Sequence, residues 1–112
     1  MAIMAIYRSR DVDPETFNRF RAAVPIEPIP EGAISHHVAF DDEEGLIVFD
    51  IWETEAQLNA FLEERLYPGM RKLGLPVVEP RVAKLHAQWT AEDATRHNVA
   101  TPPPAATAAT AA

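Results

Sequence analysis

Residues 33–54, AISHHVAFDDEEGLIVFDIWET, contain the strongest structural signal in the chain. Two runs rich in β-branched and aromatic residues, Ala33–Phe40 and Leu46–Glu53, predict a pair of strands. The residues between them, Asp41–Gly45, are acidic and end in glycine, which is typical of a hairpin loop. Thr54 follows, with a glutamine three residues later, and this capping-box pattern marks the start of a helix. The segment therefore predicts a β-hairpin that leads directly into a helix.

The flanking segments complete a β-α-β-β-α-β order. Ala2–Arg8 is apolar and predicts a first strand. Asp13 and the proline after it are helix-start residues, and they begin a helix that ends before Pro25. The second helix covers Glu55–Leu73, where a proline at position 68 should kink or split it. Pro80–Trp89 supplies a final strand, so we expect a ferredoxin-like α+β fold: a four-stranded antiparallel sheet with two helices on one face.

Length and composition indicate one folded domain followed by a tail. The chain has 112 residues, which favours a single domain. From Thr90 onward it has three consecutive prolines and many alanines and threonines, with no apolar stripe to bury. We therefore expect a domain at 1–89 and a disordered tail at 90–112.

The charge balance excludes several classes of function. Ten Lys+Arg residues against 17 Asp+Glu residues give a net charge of −7, which disfavours binding to nucleic acid or to an anionic membrane surface. There is no cysteine, so disulfides, thiolate nucleophiles and cysteine-ligated metals are excluded. No run is long enough to span a membrane, and the first ten residues lack the basic start of a signal peptide. A cytoplasmic location is the expectation.

Strand alternation predicts which side chains share a face of the sheet. Ile47, Phe49 and Ile51 form an all-apolar set that we expect beneath the helices. An even hairpin register would then give the opposite face the residues Ser35, His37, Ala39, Leu46, Val48, Asp50 and Trp52. That face is half apolar and no third helix remains to cover it, which predicts a homodimer with sheet against sheet and a cavity between the two copies.

A family resemblance supports this dimer. His37-Val38-Ala39 on the second strand, with the run Asp50–Thr54 leading into a helix, resembles the dimeric α+β barrel superfamily. Within it, the chain is most similar to small proteins related to antibiotic biosynthesis monooxygenases. The resemblance implies one pocket per protomer, between the sheet and the helices or within the barrel. The superfamily's haem-binding branch uses an Asn, a Trp and a helix-borne His; Trp52 is present, but Glu55–Leu73 has no His and the first strand no Asn, so no haem is expected.

His37 and Asp50 are the predicted catalytic pair. A carboxylate beside an imidazole fixes its tautomer and stabilises its protonated form, as a general base near neutral pH requires. Trp52 offers a flat wall for an aromatic ligand. If the hairpin loop is odd in length, His36 faces Asp50 instead and His37 moves beneath the helices. A structural hydrogen bond at the dimer seam is the other interpretation. Further substrate-binding predictions are Val48, Leu46, Ser35 and His86.

These residues predict an enzyme that needs no cofactor. His37, Asp50 and His86 lack the spacing of a metal site, so no metal is expected. The leading hypothesis is a cofactor-independent monooxygenase acting on a small aromatic or polyketide-like substrate. The alternatives are a non-catalytic small-molecule-binding or stress-responsive protein and an O₂-independent cyclase or lyase.

Overall fold

A computed structural model describes residues 1–91 and shows an α+β fold built on one sheet. Four strands pair antiparallel in the spatial order β2-β3-β1-β4. The predicted four-stranded antiparallel sheet is therefore confirmed. The strands are β1 (Ile3–Ser9), β2 (Ala33–Asp41), β3 (Gly45–Trp52) and β4 (Arg81–Lys84). Most of the predicted tail, 92–112, lies outside the described residues.

Two helical regions connect the strands, and both begin where the sequence predicts. Helix α1 covers Pro14–Ala23, and the Asp13 side chain caps it by accepting a hydrogen bond from the backbone N–H of Thr16 at 2.7 Å. Helix α2 covers Glu55–Phe61, and the Thr54 hydroxyl accepts from the backbone N–H of the residue three positions later at 3.2 Å. No helix within residues 1–91 is long and apolar enough to cross a membrane.

The second helical region is divided ahead of Pro68, as predicted. A π-helical segment, Leu62–Leu66, follows α2, and helix α3 covers Tyr67–Lys72 with Pro68 in its first turn. Proline has no N–H to donate to the preceding turn, and its ring clashes with the carbonyl there. The wider π-helical turn accommodates this interruption without ending the helical path.

The last strand is shorter than predicted. Strand β4 ends at Lys84, which pairs with Ile3, the first residue of β1. Within residues 1–91 the pairing continues by one more bond, from the Leu85 N–H to the carbonyl of Ala2 at 3.0 Å. The predicted strand Pro80–Trp89 is thus wrong at its C-terminal half, because the neighbouring strand offers no more backbone to pair with.

The inner face of the sheet, meaning the face toward the helices, is the opposite of the predicted one. Leu46, Val48 and Asp50 are at most 7% exposed on this face, where Trp52 packs its ring 5.3 Å from that of Phe61 in α2. The outer face carries the other set of β3 side chains, Ile47, Phe49 and Ile51. We predicted that the all-apolar set would lie under the helices. The set that contains Asp50 is buried there instead, because the carboxylate of Asp50 is hydrogen-bonded to His36.

The hairpin has an odd register, which the sequence left as its second possibility. Asp41 pairs with Gly45, so the turn between β2 and β3 contains three residues. Gly45 has a φ of +78°, and a Cβ placed there would approach the carbonyl oxygen of Ser9 to 2.6 Å. In this register His36 pairs with Asp50, and the predicted even register is wrong.

Candidate functional site

A cavity of about 120 Å³ lies between the inner face of the sheet and the helices. Its walls are almost wholly apolar, with aromatic side chains from both helical regions. The segment 24–32, which joins α1 to β2 and which we call the roof segment, closes one side with Pro25, Ile26 and Pro30. The Arg65 guanidinium in the π-helical segment donates to the carbonyl of Pro28 at 2.7 Å and holds the roof segment to the second helical region.

Three charged or titratable side chains form a hydrogen-bonded chain beside this cavity. Asp50 is 5% exposed on β3, and its Oδ1 lies 2.5 Å from Nδ1 of His36 on β2. The other ring nitrogen of His36, Nε2, lies 2.8 Å from Nη2 of Arg21 on α1. All three residues line the cavity. We call this chain, Arg21–His36–Asp50, the polar relay.

The polar relay fixes the protonation pattern of His36. A guanidinium has only donors, so Nε2 of His36 must accept the hydrogen bond from Arg21. Nδ1 therefore carries the ring proton and donates it to the carboxylate of Asp50. The imidazole is oriented, with its accepting nitrogen Nε2 turned toward the guanidinium. A ligand that displaces Arg21 from this nitrogen would meet a lone pair that is already positioned to take a proton.

Three buried polar atoms of cavity-lining side chains have no hydrogen-bond partner within residues 1–91. They are the hydroxyl of Tyr7, the hydroxyl of Ser35 and the indole N–H of Trp52. Burial raises the pKa of Tyr7 above its usual value, and the nearby carboxylate of Asp50 raises it further, as does Tyr67. The Tyr7 hydroxyl therefore stays protonated. Unpaired buried donors in a cavity are typical of a ligand site.

The structure groups most of the predicted binding residues but not the predicted catalytic pair. Trp52, Val48, Leu46 and Ser35 line the cavity, and their role in substrate binding stays a prediction. An irregularity in the pairing between Ala33 and Ser35 interrupts strand alternation, so Ser35 and the following His36 both face the cavity.

The predicted contact between His37 and Asp50 is wrong. His37 lies on the outer face and stacks on Phe49 with ring centroids 4.4 Å apart, because it is one residue out of phase with His36. His86 is exposed beyond the end of β4 and is absent from the cavity lining. The preferred partner of Asp50 was therefore wrong, and the structure shows the alternative in which His36 faces Asp50.

Arg21 is the functional candidate that the sequence reasoning missed. It follows Phe17 by four residues, so both side chains project from the same face of α1, and its guanidinium lies 5.4 Å from the Phe17 ring centroid. A cation within the apolar stripe of a short helix is the signal that would have revealed it. Tyr7 carried a weaker signal, alternation with Ala5 and Ile3 on β1.

Two solved structures have a similar fold. A conserved protein from Methanosarcina mazei Go1 matches with a TM-score of 0.56 and 19% identity, covering 75% of this chain and 92% of that one. A protein of unknown function from Nitrosomonas europaea matches with a TM-score of 0.57 and 17% identity, covering 80% of this chain and 91% of that one. No protein-family model matches the chain, and no curated protein is similar to it in sequence. Similarity at this level of identity shows a shared fold and nothing about activity.

Proposed function

We propose that this protein binds a small, weakly acidic aromatic molecule in its cavity and that His36 removes the acidic proton. The observation that carries the proposal is the polar relay beside an otherwise apolar cavity. An imidazole held by a buried carboxylate is the arrangement that general-base catalysis uses.

The polar relay supplies each part of the proton transfer. The hydroxyl of a phenol takes the place of Arg21 at Nε2 of His36 and gives up its proton there. Asp50 then stabilises the imidazolium through the bond to Nδ1. The displaced guanidinium of Arg21 pairs with the phenolate oxygen, which gains more from a nearby cation than the neutral phenol does. Binding and deprotonation thereby favour each other.

Oxygenation is the reaction class that we propose to follow deprotonation. The electron-rich phenolate reduces O₂, and one ring C–H becomes a C=O group. One oxygen atom enters the product and the other leaves as water, so a phenol and O₂ give a quinone and water with no cofactor. Apolar walls surround the space for the ring, while the His36 side chain at its edge is 34% exposed. The resemblance to antibiotic biosynthesis monooxygenases supports the same reaction class.

Cavity size favours a one-ring substrate over a polycyclic one. The cavity measures about 120 Å³. An engineered protein cavity of about 150 Å³ holds benzene. A monocyclic phenol therefore fits the space between the sheet and the helices, whereas a fused polyketide would need the roof segment to move. The polyketide-like substrate of the sequence hypothesis is the less favoured of the two.

A ligand-binding protein without catalytic activity is the second candidate. The observation in its favour is the bond from Arg21 to Nε2, because it occupies the lone pair that a base must offer. If a ligand leaves that bond in place, His36 and Arg21 act only as a polar anchor beside the apolar walls.

We also propose the finer architecture, a ferredoxin-like protomer that forms a homodimer through its outer face. The element order and the strand order β2-β3-β1-β4 support the first part. For the second, Phe49 is 38% exposed on the outer face, although Ile51 on the same face is 3% exposed. A sheet of four strands about 23 Å long and 4.8 Å apart offers about 450 Å² per copy. Two copies then bury about 900 Å², close to the lower limit of a specific interface, so the dimer should be weak.

The oligomeric state can be measured by light scattering over a range of concentrations. We expect a monomer–dimer equilibrium for the parent and a monomer for Phe49→Glu, because a buried like-charge pair opposes association. A parent that stays monomeric at millimolar concentration would exclude the dimer.

The enzymatic proposal is tested by oxygen uptake with a set of monocyclic phenols. His36→Gln removes the base, and His37→Gln makes the same chemical change on the outer face. We expect the first variant to lose about 100-fold or more in rate and the second to keep the parent rate. Product formation without oxygen would indicate a cyclase or lyase that uses the same base. Binding without any product would favour the non-catalytic candidate.

A further inference from the structure

We propose that the ligand carries a carbonyl-type acceptor oxygen as well as its acidic hydroxyl, and that the side chains of Tyr7 and Trp52 donate hydrogen bonds to such acceptors. This inference rests on the proposed function and narrows its substrate class to hydroxyaryl carbonyl compounds.

Of the three unpaired groups, those of Tyr7 and Trp52 are the donors used here, whereas the hydroxyl of Ser35 can donate or accept. An indole N–H donates and cannot accept, so Trp52 can be satisfied only by an acceptor. Tyr7 is held in its protonated form by burial, and its O–H is likewise available to donate. Both side chains are strongly buried, at 2% exposure for Trp52 and 6% for Tyr7. Neither polar atom has a partner within residues 1–91.

A ligand without an acceptor would leave these donors unpaired. Apart from the unpaired hydroxyl of Ser35, the cavity walls elsewhere are almost entirely apolar, and the carboxylate of Asp50 already accepts from His36. Once an aromatic ring fills the space, a buried donor that finds no acceptor loses the hydrogen bonding that it has in water. A site with buried donors therefore discriminates strongly between a ligand that has an acceptor and an analogue that lacks one, because the analogue leaves the donors unpaired.

Strand register places the two donors on either side of the polar relay. Trp52 lies two residues beyond Asp50 on β3, and Tyr7 pairs with Val48, two residues before it. Ala5, which pairs directly with Asp50, lies between them and is fully buried. An acceptor that reaches either donor therefore stands at a different ring position from the hydroxyl at His36. This separation fits a ring with its two oxygen substituents on different carbons.

Two isosteric probes test the inference, 4-hydroxybenzaldehyde and 4-methylphenol. They share the ring and a phenolic hydroxyl, and they differ by a carbonyl in place of a methyl group. The carbonyl also makes the hydroxyl more acidic, so the comparison of parent with variant for each probe decides the inference. Titration calorimetry with the parent protein should show the aldehyde binding about tenfold more tightly. Tyr7→Phe and Trp52→Phe each remove one donor and keep an aromatic ring. We expect each variant to lose several-fold more affinity for the aldehyde than for 4-methylphenol.

The outcomes separate this inference from the proposed function. An unchanged affinity of Tyr7→Phe and Trp52→Phe for the aldehyde would overturn the inference and leave the proposed function standing, whether or not the parent prefers the aldehyde. Binding of neither probe at millimolar concentration would overturn both. A loss in the variants that is the same for both probes would indicate a packing role for the rings and would also overturn the inference. Tyr7→Phe keeps the test valid if Trp52→Phe does not fold.

Discussion

His36 and His37 are adjacent in sequence, yet the two faces of one strand give them different chemistry. On the inner face His36 is held between a buried carboxylate and a guanidinium. On the outer face His37 stacks on Phe49, and its ring makes no hydrogen bond within residues 1–91. The same imidazole is thus a positioned base on one side of the sheet and a packing surface on the other. Residue type alone therefore says little about function until its face is known.

The largest expected difference between the faces is in stability. Trp52→Ala empties a site that is 2% exposed and should lower the free energy of unfolding by about 3–5 kcal/mol. Phe49→Ala truncates a ring that is 38% exposed and should lower it by only about 1 kcal/mol. Urea denaturation at a concentration where the protein is monomeric measures both. Equal losses would contradict the assignment of inner and outer faces.

Asp50→Asn should have the largest effect on the polar relay itself. The amide oxygen of Asn can still accept, but its NH2 group can donate to Nδ1 instead and the amide carries no charge. It therefore neither fixes the tautomer of His36 nor stabilises its imidazolium. Turnover of a phenol should fall by roughly 100-fold or more. Nitrogen NMR of the parent should show the ring proton of His36 on Nδ1, and this signature should disappear in the variant. A parent spectrum with the proton on Nε2 would contradict the geometry of the relay.

Tyr7→Phe should make the ligand-free protein more stable. The Tyr7 hydroxyl is buried without a partner, and removing an unsatisfied polar group relieves its desolvation penalty. We expect a gain of about 1 kcal/mol in the free energy of unfolding. Thermal denaturation with and without 4-hydroxybenzaldehyde provides the measurement. The ligand should reduce the difference in stability between variant and parent, because only the parent can donate a hydrogen bond from Tyr7 to it. A destabilised variant would show that the hydroxyl is already satisfied.

The smallest effect is expected at the rim of the outer face. Arg8 and Glu44 form an ion pair at 2.7 Å, but their side chains are 59% and 48% exposed. Solvent screens such pairs, so Glu44→Gln should change the free energy of unfolding by about 0.5 kcal/mol or less. The same denaturation curves in low and high salt check this value. A change several times larger would mean that the pair anchors the hairpin to β1.

The sequence was sufficient to predict most of the helices and strands, but not which face of the sheet lies against the helices. Asp13 and Thr54 predict helix starts because caps are local, and the strands around Gly45 follow from composition. Which of two neighbouring histidines meets Asp50 depends on the parity of a turn, since a shift of one residue exchanges the faces. The pattern of apolar residues predicted the wrong parity, because it counts Asp50 as unfavourable in the core. It cannot detect that Asp50 is hydrogen-bonded to His36 on β2, or that His36 in turn is bonded to Arg21 on α1. Such compensation between distant segments appears only in three dimensions.

The proline-rich roof segment has a consequence for the thermodynamics of recognition. Pro25, Pro28 and Pro30 restrict the backbone before any ligand arrives, and Arg65 ties the loop to the second helical region. Little conformational freedom is then left to lose when the cavity fills, so the entropic penalty of ordering the loop is small. Even a fragment-sized molecule, which has few atoms with which to offset such a penalty, can therefore be held selectively by a protein of this size.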